Sequence, residues 1–171
     1  MNASSEKHST PLWDADLIGR YDVSGPRYTS YPTAPQFNED FNSEALQAAI
    51  TRSNASNKPL SLYYHLPFCD TLCYYCGCNK VVTHNKKRAQ PYLQCLDQEM
   101  NLLAKQFDPK RTVKQLHWGG GTPTFINEAE MSWLMAATRR HFSLLDDDSG
   151  EYSVEIHPGH VTPKAMGHLR N

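Results

Sequence analysis

The sequence predicts an α/β fold built on parallel strands. From Pro59 onward, short stretches of alternating apolar and polar residues take turns with longer stretches of helical periodicity, in the order strand, helix, strand, helix, strand. Strands separated by helices pair in parallel, because the helix carries the chain back to the start of the next strand. The residues able to do chemistry (a cysteine-rich loop, a glycine triplet and a lone glutamate) each fall where one of these strands ends. In parallel α/β folds, ligands sit at those carboxyl ends.

Residues 1–58 read as an N-terminal extension and residues 59–171 as the body. The extension carries Pro11, Pro26, Pro32 and Pro35, and one short helical stretch near Ser43 to Ile50. Gly25-Pro26 and Tyr31-Pro32 punctuate it, because proline fixes its own φ and restrains the residue before it. Tyr21, Tyr28, Tyr31, Phe37 and Phe41 are many aromatics for a free arm, and the extension is expected to pack on the body. In the body, Leu60, Leu62, Tyr64 and Leu66 alternate with Ser61, Tyr63 and His65, a strand of period two. A helix is expected from Pro91 to Phe107, with Leu96, Met100, Leu103 and Phe107 on one face and Pro91 in its first turn. A second strand runs from Val113 to Trp118 and ends in Gly119-Gly120-Gly121. Asn127 and Glu130 form a capping box for a helix containing Met131, Leu134, Met135 and Phe142. Tyr152 to Ile156 is a third strand, and Thr162 opens a third helix.

Composition excludes several classes. The chain has 171 residues, 39% hydrophobic and 20% charged, which is globular. Its formal net charge of -1 supplies no basic field for nucleic acid. No apolar run approaches the ~20 residues of a membrane helix, and Met1 to Ser9 has no apolar signal core. The chain therefore reads as cytoplasmic. Cysteines stay reduced in that compartment, so a tight cluster of them points to metal rather than disulfides.

That cluster is Cys69, Cys73, Cys76 and Cys78. The C-x3-C-x2-C spacing of the first three lets one short loop wrap three thiolates around an iron-sulfur cluster, for which thiolate is the soft ligand required. A cubane held by three cysteines keeps one iron open. Zinc is the competing reading, but its four-cysteine sites come as two separated pairs, and Cys76 and Cys78 crowd a tetrahedron. Cys78 reads as a fourth ligand, a free thiol or a small buried residue. Cys95, at the margin of a helix's apolar face, reads as core filling.

The glycine triplet lets backbone approach a ligand closely. It is not a phosphate-binding loop, since no Gly-Lys-Ser/Thr follows. Alternation on the third strand puts Tyr152, Val154 and Ile156 toward the helices, and Ser153, Glu155 and His157 on the inner side. An inward carboxylate needs a hydrogen-bonding partner; a ribose diol is one, and water at an open edge is the alternative. Tyr63, His65 and His117 fall on the same inner side.

Three stretches carry a resemblance. Arg27-Tyr-Thr-Ser-Tyr-Pro-Thr33, Pro59 to Lys80 with Tyr63-Tyr-His-Leu-Pro-Phe-Cys69, and Gln115-Leu-His-Trp-Gly-Gly-Gly-Thr-Pro-Thr124 closely resemble the oxygen-independent coproporphyrinogen III oxidases of bacterial haem synthesis. The resemblance runs from about Asp16 to the end. It implies a radical S-adenosylmethionine (SAM) enzyme with a partial (β/α)6 barrel, of which this chain is the N-terminal part, incomplete at the C-terminus and inactive alone. The implied reaction converts two propionates of coproporphyrinogen III to vinyl groups, giving protoporphyrinogen IX and two CO2. It also implies a [4Fe-4S] cluster on Cys69, Cys73 and Cys76, two SAM molecules, a low-potential electron donor and a monomeric full-length protein. Tyr63, Gly119 and Glu155 match the family's contacts to one SAM, and Gly120, Gly121 and Tyr75 its contacts to the second, with Tyr75 where the family commonly has Phe. Tyr63, His65 and Cys78 are the candidates for residues acting at the reaction, and Arg27 and Lys80 for partners of propionates. Glu155-Ile-His-Pro158 resembles the family's Glu-x-Asp-Pro, with His157 in place of Asp. Related haem chaperones usually have Asp-Phe after the cysteine motif, where this chain has Gly77-Cys78. A non-catalytic iron-sulfur or haem-binding module is the rival of another class.

Overall fold

A computed structural model describes residues 13–23 and 36–170. The Arg27 to Thr33 motif and the four extension prolines lie outside the described residues. The chain divides into two compact units, Met1–Phe41 and Asn42–Asn171. Among its described residues the first holds a short helix, α1 (Ala15–Tyr21), started by Asp14, whose carboxylate accepts from the Leu17 amide at 2.8 Å. Tyr21, Phe37 and Phe41 are exposed.

The second unit begins with α2 (Ser43–Ser56), longer than its sequence pattern indicates. Asn42 caps it, accepting from the Ala45 amide at 2.9 Å, and Asn57 ends it at a φ of 54°, a left-handed conformation that asparagine tolerates. Arg111 ties this helix to the sheet. Its side chain is buried, and its guanidinium donates to the Lys58 carbonyl at 2.8 Å and to Ser53 Oγ and Asn54 Oδ1 at 3.0 Å. Buried charge persists when its donors are met in this way.

The sheet is parallel. Central β4 (Thr112–Gly120) pairs on one side with β1 (Leu60–Leu66) and on the other with β5 (Ser143–Leu144) and β6 (Glu151–Val154). Two further strands, β2 (Phe68–Cys69) and β3 (Val81–Val82), form a separate parallel pair. The register of β1 against β4 slips between Leu60/Val113 and Ser61/Gln115, leaving Lys114 as an extra residue. That bulge is why Val113, Leu116 and Trp118 are all buried although their spacing is irregular. The buried set of β1 (Leu60, Tyr64 and Leu66) packs with these against α3 (Ala89–Ala104) and α4 (Glu128–His141). Burial raises the pKa of Tyr64 to about 12, and its hydroxyl reaches Met100 Sδ at 3.0 Å.

The capping box of α4 forms as expected: Glu130 N to Asn127 Oδ1 is 3.0 Å, and Asn127 N to Glu130 Oε2 is 2.8 Å. Thr162 opens α5 (Pro163–Arg170), accepting from the Ala165 amide at 3.1 Å. The remaining differences lie at element ends and edges. α3 starts at Ala89 and stops at Ala104, and Phe107 sits in a following turn whose amide donates to the Ala104 carbonyl. Cys95 is exposed rather than core filling. β6 stops at Val154, and Ile156 is 39% exposed because the chain turns away toward Pro158. Among the described residues, no helix is long and apolar enough to cross a membrane.

Candidate functional site

The cysteine loop is built by its neck. After Leu66 the chain forms β2, runs out through residues 70–80 and returns as β3 beside it. Val81 N donates to the Pro67 carbonyl at 2.7 Å and Thr83 N to the Cys69 carbonyl at 2.9 Å. A parallel pair ordinarily needs a long crossover; here the cysteine loop is the crossover. Asp70 fixes the outgoing limb through Lys86 Nζ at 2.8 Å, and that ammonium lies 3.7 Å from the centre of the Phe125 ring. Phe125 in turn stacks on Phe68 at 5.3 Å.

All four loop cysteines are free thiols, Cys69 buried at the neck, Cys73 and Cys76 half-buried, and Cys78 exposed. Cys76 N donates to the Cys73 carbonyl at 3.1 Å, which folds the middle of the loop into a turn. Hydrogen bonding from the Cys78 backbone, helped by Lys80, holds the Cys76 thiol below its usual range. Burial and the neighbouring Cys76 and Glu155 push Cys78 the other way. Among the described residues, no group of three or more His, Cys, Asp or Glu side chains is gathered closely enough to hold a metal ion. Thiol loops of this kind commonly close around the metal as it binds.

Beside the loop, the inner face of the sheet carries a polar cluster. Tyr63 lies flat against His117, with ring centres 5.7 Å apart and planes 15° apart. The Tyr63 hydroxyl is 3.1 Å from His65 Nδ1, and His65 Nε2 is 2.7 Å from the Asn79 carbonyl. A carbonyl only accepts, so Nε2 donates there; in the neutral ring Nδ1 then accepts from Tyr63. His65 thus joins β1 to the returning limb of the cysteine loop. Burial, then the negative charge of Glu155, raises the Tyr63 pKa.

Glu155 follows β6, and its amide still donates to the Trp118 carbonyl at 2.9 Å. Its Oε2 accepts from the Gly120 amide at 3.1 Å, and its Oε1 lies 3.4 Å from His117 Nε2. The predicted inward phase is therefore observed, and Tyr63, His65, His117, Gly119, Gly120 and Glu155 come together.

The three glycines do different things. A Cβ on Gly119 would stand 3.0 Å from both His117 Nε2 and Tyr63 Cε2 and 3.1 Å from Glu155 Cδ, so the missing side chain is the floor of this cradle. Gly120 has a φ of +111°, and its Cβ would meet the His65 ring at 2.7 Å. A Cβ on Gly121 would meet the backbone of Pro67 and Phe68 at 2.7 Å. The atoms nearest Gly120 and Gly121 thus belong to His65, Pro67 and Phe68, not to Tyr75, whose ring is 76% exposed on the loop. Alternation put Ser153 on the inner side but gave no sign of its contact with His117 Nδ1 at 2.7 Å, and Asn79 carried no signal, since a carbonyl in a loop has no pattern of its own. A cavity of about 700 Å3 lies on the opposite face, among Leu116, Trp118, Met131, Tyr152 and Leu169, and none of the site residues lines it except Ser153.

No protein-family model matches the chain. It is 50% identical over 161 residues to the oxygen-independent coproporphyrinogen III oxidase of Pseudomonas aeruginosa, covering 94% of this chain and 35% of that one. The relative of the same name from Mannheimia haemolytica is 46% identical over 147 residues, covering 86% of this chain and 97% of that one. Among solved structures, the Escherichia coli coproporphyrinogen III oxidase HemN, a radical SAM enzyme, superposes with a TM-score of 0.75 at 45% identity, over 93% of this chain and 34% of that one. The fold and these relatives thus place the chain in the radical SAM class. More narrowly, it belongs to the oxygen-independent coproporphyrinogen III oxidase family. It spans about a third of the length of the Pseudomonas and Escherichia proteins.

Proposed function

We propose that this chain carries the iron-sulfur and SAM-binding portion of a cytoplasmic oxygen-independent coproporphyrinogen III oxidase. The observation that carries the reading is the meeting, at one end of a parallel sheet, of a free three-thiol loop and a carboxylate cradle floored by Gly119. The donor set fits a [4Fe-4S] cluster, being soft thiolates from one local loop with its neck already paired. In this reading Cys69, Cys73 and Cys76 are the ligands and Cys78 is a separate thiol. Its place beyond the Cys73–Cys76 turn, on the limb tied back through the Asn79 carbonyl, supports that division. A cluster with SAM supplies reductive cleavage of SAM to a hydrogen-abstracting radical, and the protein positions the participants.

Glu155 has the capacity for a ribose diol. Each carboxylate oxygen has two acceptor sites, and the contacts to Gly120 and His117 occupy one apiece. Tyr63 and Gly119 complete the first SAM position, and Gly120, Gly121 and Tyr75 belong to a second. His65 orients the Tyr63 hydroxyl. Coproporphyrinogen III is the substrate, a low-potential donor supplies electrons, and the full-length protein is monomeric.

Two outcomes test this. Hydrogen bonds to a charged group contribute ~1.5–3 kcal/mol, so Glu155→Ala should weaken SAM binding to the reconstituted protein ~10- to 100-fold by calorimetry. An unchanged affinity with an intact fold removes Glu155 from the site. Residues 1–171 alone should not turn over coproporphyrinogen III under anaerobic conditions with SAM and a strong reductant, because radical chemistry needs an enclosed site and Glu155 is still 53% exposed here. Multiple-turnover formation of protoporphyrinogen IX, followed by chromatography, would refute that.

A further inference from the structure

We infer that His117 is a positioning residue that holds the Glu155 carboxylate in its ligand-accepting orientation; this rests on the SAM reading of Glu155. His117 is fixed on three sides. Its ring face lies against Tyr63 at 5.7 Å, its Nδ1 is 2.7 Å from Ser153 Oγ, and its Nε2 is 3.4 Å from Glu155 Oε1. Ser153 sits directly opposite His117 in the β4–β6 register, so the histidine and its fixing hydroxyl are placed by the same backbone ladder.

The chemistry of the partners sets the proton. A carboxylate can only accept, so Nε2 must carry a hydrogen to face it favourably. In the neutral ring Nδ1 is then an acceptor, and the Ser153 hydroxyl is the donor that satisfies it. The Glu155 carboxylate therefore selects the Nε2-protonated tautomer, and Ser153, whose hydroxyl can donate or accept, satisfies the Nδ1 this leaves and fixes the ring. The contact to Glu155 is long, at 3.4 Å. Its value is in direction. Gly120 N–H takes Oε2 from one side and His117 takes Oε1 from the other, which leaves the carboxylate plane set over Gly119. An unheld glutamate after the end of a strand has several rotamers, and freezing them before a ligand arrives raises affinity without adding a contact.

The test separates this from a simple packing role. In histidine-selective nitrogen-15 NMR of the chain, His117 should show the Nε2-protonated tautomer, and Glu155→Ala should convert it to a mixture. His117→Phe keeps the ring against Tyr63 and removes both nitrogens. It should weaken SAM binding to the reconstituted protein ~5- to 10-fold. In the Glu155→Ala background the same change should alter affinity less than about twofold, because the residue it acts through is gone. Equal losses in the two backgrounds would overturn the inference, and so would an Nδ1-protonated ring in the parent chain. If His117→Phe fails to fold, Ser153→Ala takes its place in the cycle, with a smaller loss expected, again confined to the Glu155 background. If the parent chain binds no SAM, the SAM reading of the site fails instead, and the imidazole spectrum, which needs no ligand, decides on His117.

Discussion

Cys69→Ala, Cys73→Ala and Cys76→Ala should each abolish assembly of a four-iron cluster on anaerobic reconstitution, whereas Cys78→Ala should retain it. The expected change is close to all-or-none, from about four irons per chain to well under one, because a cubane bound by two thiolates leaves a second iron without its ligand, and Cys78, the remaining thiol of the loop, lies on a limb anchored elsewhere. The loop gives each position a reason. Cys69 sits at the neck, its carbonyl locked to Thr83 N, so its sulfur is the fixed point of the set. Cys76 is bonded through its amide to the Cys73 carbonyl, so those two move together as the loop closes. Cys78 lies beyond the turn, on the limb that His65 anchors through the Asn79 carbonyl. Its thiol is shifted toward protonation by burial and by its neighbours Cys76 and Glu155. Iron and sulfide analysis with EPR of the reduced protein would decide. A cluster lost in Cys78→Ala alone would sink the three-ligand model, and stoichiometric zinc in the parent protein would sink the iron-sulfur reading altogether.

The elements with strong periodicity were legible in the sequence, and the devices that join them were not. β1, β4, α4 and the capping box at Asn127 follow from alternation, an apolar stripe and one short motif. The register bulge at Lys114 is invisible to such reading, because it depends on what β1 presents opposite. The β2–β3 pair escaped for a related reason: two residues make too short a stretch to show a period, and their pairing is set by tertiary context. Arg111 carries no signal in the sequence; its burial becomes reasonable only once Lys58, Ser53 and Asn54 are seen to supply its acceptors.

The site divides along the same line. Phase on a strand was enough to bring Glu155 inward and to put Tyr63, His65 and His117 on one side. It did not say which side chains would hold one another, and the Tyr63–His65–Asn79 and Glu155–His117–Ser153 chains appear only in three dimensions. Ile156 shows the limit from the other direction. The alternation is there in the sequence, but the strand ends before it reaches that residue.

Gly121→Ala should damage the fold, and Gly119→Ala should spare the fold while damaging ligand binding. At Gly121 the new Cβ would stand 2.7 Å from the Pro67 carbonyl carbon and oxygen and from the Phe68 oxygen, all backbone atoms. A clash with a side-chain tip is relieved by a rotamer change, but here one stretch of main chain must move. That main chain is held: Gly121 N donates to the Leu66 carbonyl and Thr122 N to the Phe68 carbonyl, each at 2.8 Å. Moving it lengthens both bonds and displaces the neck from which Cys69 leaves. Overpacking typically costs ~1–3 kcal/mol, and the rigid partners put Gly121→Ala at the upper end of that range. The denaturation midpoint should fall accordingly in urea, and cluster yield should fall with it. Gly119 is surrounded by side chains at 3.0–3.1 Å, those of His117, Tyr63 and Glu155, which can yield by a few tenths of an ångström. Its alanine variant should keep the unfolding free energy within ~1 kcal/mol of the parent and lose SAM affinity, because a methyl group then occupies the cradle floor. An unchanged midpoint in Gly121→Ala would show that the neck is soft and would leave that glycine only a ligand-contacting role. A collapsed midpoint in Gly119→Ala would instead make the cradle a packing feature rather than a binding one.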